Sequence, residues 1–226
     1  MRFSHKVFVA AAAATVLAPL PAAVAAPGSG GGAAGSGSGA SVSAATGSSE
    51  VPTAPASSAT LILAYSFGNR MPAGADPDRT IGEPGPVNEE LAAAVMAARG
   101  DRNTPVYAQT EIAQVLRTRY GLTDVVAIDP VRDADGKLIY LSTDGVAAKV
   151  AELRGGAAAT DRVAVVAFRD HLWRATATTA KRGFTAFAPE GVTMPSTYDP
   201  QSGQLWTTSA LLYIPTDLLG RLALLR

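Results

Sequence analysis

From Thr60 onward, short apolar runs alternate with stretches whose apolar residues recur every three or four positions. The runs predict strands, and the spaced stretches predict helices. Thr60 to Ser66, Thr104 to Ala108, Asp124 to Ile128, Arg162 to Phe168 and Phe184 to Phe187 read as strands, the fourth being the most hydrophobic. Leu91 to Arg99 reads as a helix opened by Asn88-Glu89-Glu90 and stopped by Gly100. Asn88 suits its N-cap, and the acids suit the positive helix start. Thr110 caps a second helix, Glu111 to Tyr120, with Ile112, Val115 and Leu116 on one face and Gly121 as the stop. Ser142 or Thr143 caps a third helix through Leu153. Asp170 to Arg182 is a fourth, ending at Gly183, and Leu211 to Leu225 is a last apolar segment, helical after Pro215. Met71 to Pro86 carries four prolines and reads as a long loop. Asp133 to Gly136 makes a turn, after which Lys137 to Leu141 is extended.

Strands alternating with helices imply an α/β domain, with a mainly parallel sheet covered on both faces. Right-handed crossovers put every strand-to-helix loop on one edge of that sheet. The polar residues of those loops therefore converge: Asn69 and Arg70, Gln109 and Glu111, Ser142 and Thr143, and Asp170, His171 and Arg174.

The N-terminal part reads differently. Arg2 and Lys6 precede an apolar stretch from Val7 to Leu20, and Ala23-Val24-Ala25 follows it. That is the layout of a secretory signal peptide over residues 1–26, cut after Ala25 or Ala26. The stretch is shorter than the ~20 residues of a membrane span, so no stable span is expected after cleavage. Residues 27–59 are rich in Gly, Ala, Ser and Pro and predict a flexible linker. Within it, Gly28-x-Gly30-x-x-Ala33 has the spacing of a dinucleotide fingerprint but follows no strand. Residues 60–226 then form one domain.

The chain has no cysteine, so disulfides and thiolate metal sites are excluded. Basic and acidic residues balance at 19 each, and losing Arg2 and Lys6 leaves the remainder near neutral. A nucleic-acid partner, which needs a basic face, is not expected. Asp133-x-Asp135-Gly136 starts like a calcium loop but lacks the later ligands, so a hairpin turn is expected. No metal site is predicted, and no cofactor is identified.

The most informative segment is Asp170-His171-Leu172-Trp173-Arg174, directly after the most hydrophobic strand. His171 is the sole histidine beyond the leader. His171 and Arg174, three apart, share a helix face, and Asp170 is placed to cap the helix start. A helix N-terminus with His and Arg suits an anion such as phosphate. Ser142 and Thr143 offer hydroxyls for the same purpose. Glu111 is a candidate general acid or base if buried, although a first-turn acid complementing the helix dipole is the plainer role. Trp173 and Trp206 either line a pocket or pack.

Three further segments complete a resemblance: Gly68 after the first strand, Gln109-Thr110-Glu111-Ile112-Ala113, and Ser142-Thr143-Asp144-Gly145-Val146-Ala147. With His171-x-x-Arg174-Ala175 and the later Gly183-Phe184, the chain resembles the YdcF-like family of bacterial envelope-associated proteins, which includes SanA and ElyC. The resemblance spans most of Thr60 to Glu190. It differs at Ala108-Gln109, where the family commonly has Ser-Gly-Gly, and at Gly145 and Val146, where it commonly has Asn. It implies a three-layer Rossmann-like domain and a place in the cell envelope, secreted or periplasmic. It also implies a phosphate-bearing or nucleotide-like ligand.

The expected function is binding of a small anionic ligand at the carboxyl edge of the sheet. His171 and Glu111 are the candidate catalytic residues. Arg174, Asp170, Thr143, Ser142, Gln109, Gly68 and Asn69 are the candidate ligand contacts. Transfer or hydrolysis at an envelope precursor is the enzymatic form of this reading. A non-catalytic binding or scaffold protein with a degenerate site is the alternative. The oligomeric state is left open.

Overall fold

A computed structural model describes residues 50–224. The expected signal peptide, residues 1–26, and residues 27–49 of the expected linker lie outside the described residues, as do the last two positions.

Six strands form one parallel sheet: β1 (Thr53–Pro55), β2 (Leu61–Ala64), β3 (Val106–Gln109), β4 (Val126–Ile128), β7 (Arg162–Val166) and β8 (Thr185–Glu190). Their order is β1-β8-β7-β2-β3-β4. The short strands β5 (Val131–Arg132) and β6 (Leu138–Ile139) form a separate antiparallel hairpin around the Asp133 to Gly136 turn. The helices are α1 (Pro86–Arg99), α2 (Thr110–Tyr120), α3 (Thr143–Arg154), α4 (Leu172–Lys181) and α5 (Ala210–Leu224).

Every residue of β2 is buried, as expected for a central strand covered on both faces. Its side chains alternate. Ile62 and Ala64 join the core under α1 and α2, with Leu91, Val95, Ile112 and Leu116. Leu61 and Leu63 join the core under α3 and α4, with Val146, Val150 and Ala175. The expected α/β class with helices on both faces is therefore present.

Several expected boundaries move, each for a local reason. α1 begins at Pro86 behind Gly85, because proline at the first helical position loses no bonded N–H. Asn88 is thus not the N-cap but a buried wedge. Its Oδ1 accepts from Phe67 N at 3.1 Å and its Nδ2 donates to Gly68 O at 2.8 Å. Thr110 does not cap α2 either, since its hydroxyl donates to Asp129 at 2.7 Å. Ser142 does cap α3, its Oγ accepting from Gly145 N at 3.1 Å. The helix expected from Asp170 starts as a 3-10 turn, Arg169–His171, before α4. Asp170 caps nothing there. α5 starts five residues ahead of Pro215, which lies inside it.

The last part of the expected linker, residues 53–58, is structured instead. Thr53–Pro55 pairs in parallel with β8, and Ala188 N donates to Pro52 O at 2.8 Å. The 3-10 turn Ala56–Ser58 follows, with Ser58 O accepting from Arg162 Nε.

The strand order reverses between β2 and β7. Open α/β sheets bind ligands outside the carboxyl ends of their strands at such a switch point. The chain leaves β2 through Tyr65 to Gly68 and leaves β7 through Ala167 to His171. Phe67 and Phe168 stack there, ring centroids 4.0 Å apart.

Candidate functional site

A cavity of about 360 Å³ opens at this switch point. The loop after β2 supplies Ser66, Phe67 and Gly68, and the end of β3 supplies Gln109. Ser142 and Thr143 enter from the start of α3, while His171 and Arg174 enter from the exit of β7 and the first turn of α4. Of the nine candidate site residues, Gly68, Gln109, Ser142, Thr143, His171 and Arg174 therefore share one cavity.

Gly68 carries a φ of +70°, and a Cβ there would meet the Ser202 and Thr207 hydroxyls at 2.5 and 2.8 Å. Only glycine suits this turn. Gln109 Oε1 accepts from Ser66 N at 3.0 Å, tying the β3 and β2 exits together.

The other three candidates stand elsewhere. Asn69 is buried and donates to Tyr140 Oη at 3.2 Å, while its carbonyl accepts from Gly203 N. It shapes the loop rather than lining the cavity. Asp170 accepts from Tyr198 Oη at 2.8 Å and from Arg169 Nε at 3.1 Å. It faces a second depression, beside Trp173 and Arg221. Glu111 is buried in the first turn of α2, behind the cavity wall, and its Oε1 has no hydrogen-bond partner among the described residues. Burial raises its pKa, and its own backbone N–H, Ser66, Asn69 and Tyr140 offset this only in part.

Arg174 is held from three sides. Its Nε donates to Asp217 Oδ1 at 2.5 Å, its Nη1 to Thr143 Oγ1 at 2.6 Å and its Nη2 to Tyr213 Oη at 3.0 Å. Burial disfavours its charge, but Tyr213 and Asp217 outweigh that and raise its pKa. Asp217 also accepts from Arg221 Nε at 2.6 Å. Its side chain is 3% exposed. Burial alone would raise the Asp217 pKa, but His171, Arg174 and Arg221 outweigh it and hold the carboxyl well below the usual carboxylate range.

His171 stands between Thr143 and Asp217. Its Nε2 is 3.5 Å from Thr143 Oγ1, and its Nδ1 is 3.8 Å from Asp217 Oδ1. The second distance is too long for a hydrogen bond, and Nδ1 has no partner among the described residues. Burial pushes the imidazole pKa down to about 4, Asp217 opposing and Arg174 reinforcing the shift. The ring is neutral at neutral pH.

Sequence reasoning missed Tyr140, Tyr213 and Asp217. Asp217 left a usable signal: it is the one acid in a mostly apolar terminal segment. In α5 it lies four residues from both Tyr213 and Arg221, so all three share a face. Tyr140 had no such mark. Trp206 lines the cavity, while Trp173 borders the second depression, with Arg221 over its ring at 5.0 Å. Among the described residues no group of three or more His, Cys, Asp or Glu is placed to hold a metal.

The class defined by fold and cavity is a Rossmann-like α/β domain with a polar cavity at its switch point. Comparison of the chain with protein-family models, curated proteins and solved structures finds no significant match.

Proposed function

We propose that this cavity binds a small ligand through an anionic, phosphate-like group. One observation carries the reading: the lining holds one guanidinium, that of Arg174, and no carboxylate. The rest of its polar lining is hydroxyls, amides and a neutral imidazole. Thr143 and Ser142 stand at the start of α3, where the helix dipole adds positive potential. Arg174 has Thr143 and Tyr213 as exchangeable neutral partners, so an anion can replace either while Asp217 keeps Nε in place. The His171-x-x-Arg174-Ala175 likeness to YdcF-like proteins points to the same ligand class. With the signal-like leader, it favours a secreted or envelope-associated protein.

Trp206 supplies the test, because it lines the cavity. In a Trp173→Phe background, its fluorescence is titrated with inorganic phosphate and phenyl phosphate. The reading expects saturable binding that weakens with salt. A hydrogen bond to a charged group contributes roughly 1.5–3 kcal/mol, so Thr143→Val should weaken binding at least about 10-fold. Absence of saturable binding, or binding indifferent to Thr143→Val and Ser142→Ala, would overturn it.

A further inference from the structure

We propose that Thr143 Oγ1 is a nucleophile, with His171 Nε2 as its base, that takes the phosphoryl group from a phosphate ester held on Arg174. This inference rests on the anion-binding reading above.

Two groups approach the Thr143 hydroxyl. Arg174 Nη1 lies 2.6 Å away and can only donate to it. The hydroxyl proton is therefore free to point elsewhere, and His171 Nε2, at 3.5 Å, stands ready to accept it. For Nε2 to accept, the neutral ring must carry its proton on Nδ1. That nitrogen faces the Asp217 carboxylate at 3.8 Å, which favours this tautomer. Nucleophile, base and orienting acid thus follow one another through a ring whose side chain is only 6% exposed. Catalytic contacts of this kind are often long before substrate binds.

Thr143 is also the first residue of α3, so negative charge developing on Oγ1 meets the positive helix end and the Arg174 guanidinium together. The same guanidinium is placed for the phosphoryl oxygens. Glu111, behind the wall, has no part in this arrangement.

The step balances. A lone pair of Oγ1 forms the bond to phosphorus, and the ester P–O bond breaks with its electrons on the leaving oxygen. The Thr143 proton passes to Nε2 and from there to the leaving oxygen, which departs as an alcohol. Water then attacks the phosphothreonine and gives its proton to Nε2. Thr143 Oγ1 leaves with the P–O electrons and regains that proton, and inorganic phosphate is released. Asp217 acts here as a positioning residue, fixing the tautomer and stabilising the transient imidazolium.

The test uses the full chain and para-nitrophenyl phosphate. After acid quenching, peptide mass spectrometry should find a phosphoryl group on Thr143, with an early burst of nitrophenolate. His171→Gln should cut the burst rate by at least ~100-fold while phosphate binding, read by Trp206, persists. Thr143→Ser should keep the adduct, and Thr143→Val should abolish it. Near-ultraviolet circular dichroism confirms that each variant is folded. Turnover that survives in Thr143→Val, or an adduct on another residue, would overturn the proposal. Phosphate binding with no nitrophenolate release would overturn it too, and leave the binding reading standing. Failure to bind phosphate at all would remove both.

Discussion

At the residue scale, His171 and Arg174 play different parts although they share a helix face. His171 is neutral because it is buried, and this makes stability depend on pH. Below pH 6.5 the unfolded chain takes up a proton that the folded ring refuses until about pH 4. Stability from this residue is therefore lost as pH falls across that window, and nothing is lost above it. Each unit is worth about 1.4 kcal/mol, so the loss approaches about 3 kcal/mol. Glu111 acts in the opposite sense, since its raised pKa makes protonation favour the folded state as pH falls. Urea titrations at pH 7 and pH 5 separate the two: His171→Gln should lose less stability on acidification than the parent, and Glu111→Gln more. Arg174 carries a structural duty besides its proposed role. Removing it takes from Asp217 one of its two guanidinium partners. Breaking a buried pair costs roughly 3–5 kcal/mol. Because Arg221 remains and Arg174 is 21% exposed, Arg174→Ala should cost nearer the lower figure, about 3 kcal/mol, by urea denaturation. An open-cleft arginine would cost almost nothing.

The candidate residues were legible because of where they stand on the chain. His171, Arg174 and Thr143 follow a buried strand or open a helix, and topology alone sends such positions to one edge. Glu111 satisfies the same rule yet faces inward, because side-chain direction within a helix's first turn is fixed by packing, which spacing does not reveal. Tyr213 and Asp217 arrive from the terminal helix, whose docking place no alternation of strands and helices specifies.

At the element scale, β1 shows where composition misleads. Thr53–Pro55 is only three residues long and ends in proline, and the Gly- and Ser-rich neighbourhood argues for a tether. It is a strand because β8 would otherwise present an unpaired edge. Cutting the chain back to Ala59 should therefore cost more than ~1 kcal/mol relative to a chain starting at Glu50, by urea denaturation. Equal stability would make β1 incidental. α5 offers a second element-level test. A Cβ on Gly220 would lie 2.8 Å from Arg174 Cδ, and Arg174 is pinned by its three partners. Alanine favours a helix over glycine by up to about 1 kcal/mol. Gly220→Ala should thus leave stability nearly unchanged while weakening phosphate binding several-fold, because the guanidinium must shift.

At the scale of the whole molecule, the alternation of apolar runs and amphipathic segments was enough to predict a parallel sheet with helices on both faces. It did not predict the strand order, which depends on long crossovers. That order matters most, because the reversal between β2 and β7 places the cavity. The outer face of α5 leaves Leu211, Ile214, Leu218, Leu219 and Leu222 exposed. Among the described residues no helix is long and apolar enough to cross a membrane. If the proposed signal peptide over residues 1–26 is cleaved, N-terminal sequencing of exported material should find a mature chain beginning at Ala26 or Pro27. Recovery of the full-length chain alone would contradict the signal reading.

The central claim is that the switch-point cavity is an anion site. A crystal structure of the protein soaked with vanadate, which mimics both phosphate and the five-coordinate state of its transfer, tests it most directly. The account predicts vanadium density beside Thr143 Oγ1, with its oxygens on Arg174 and His171 within reach. Vanadate bound elsewhere, or none in the cavity at saturating concentration, would contradict it.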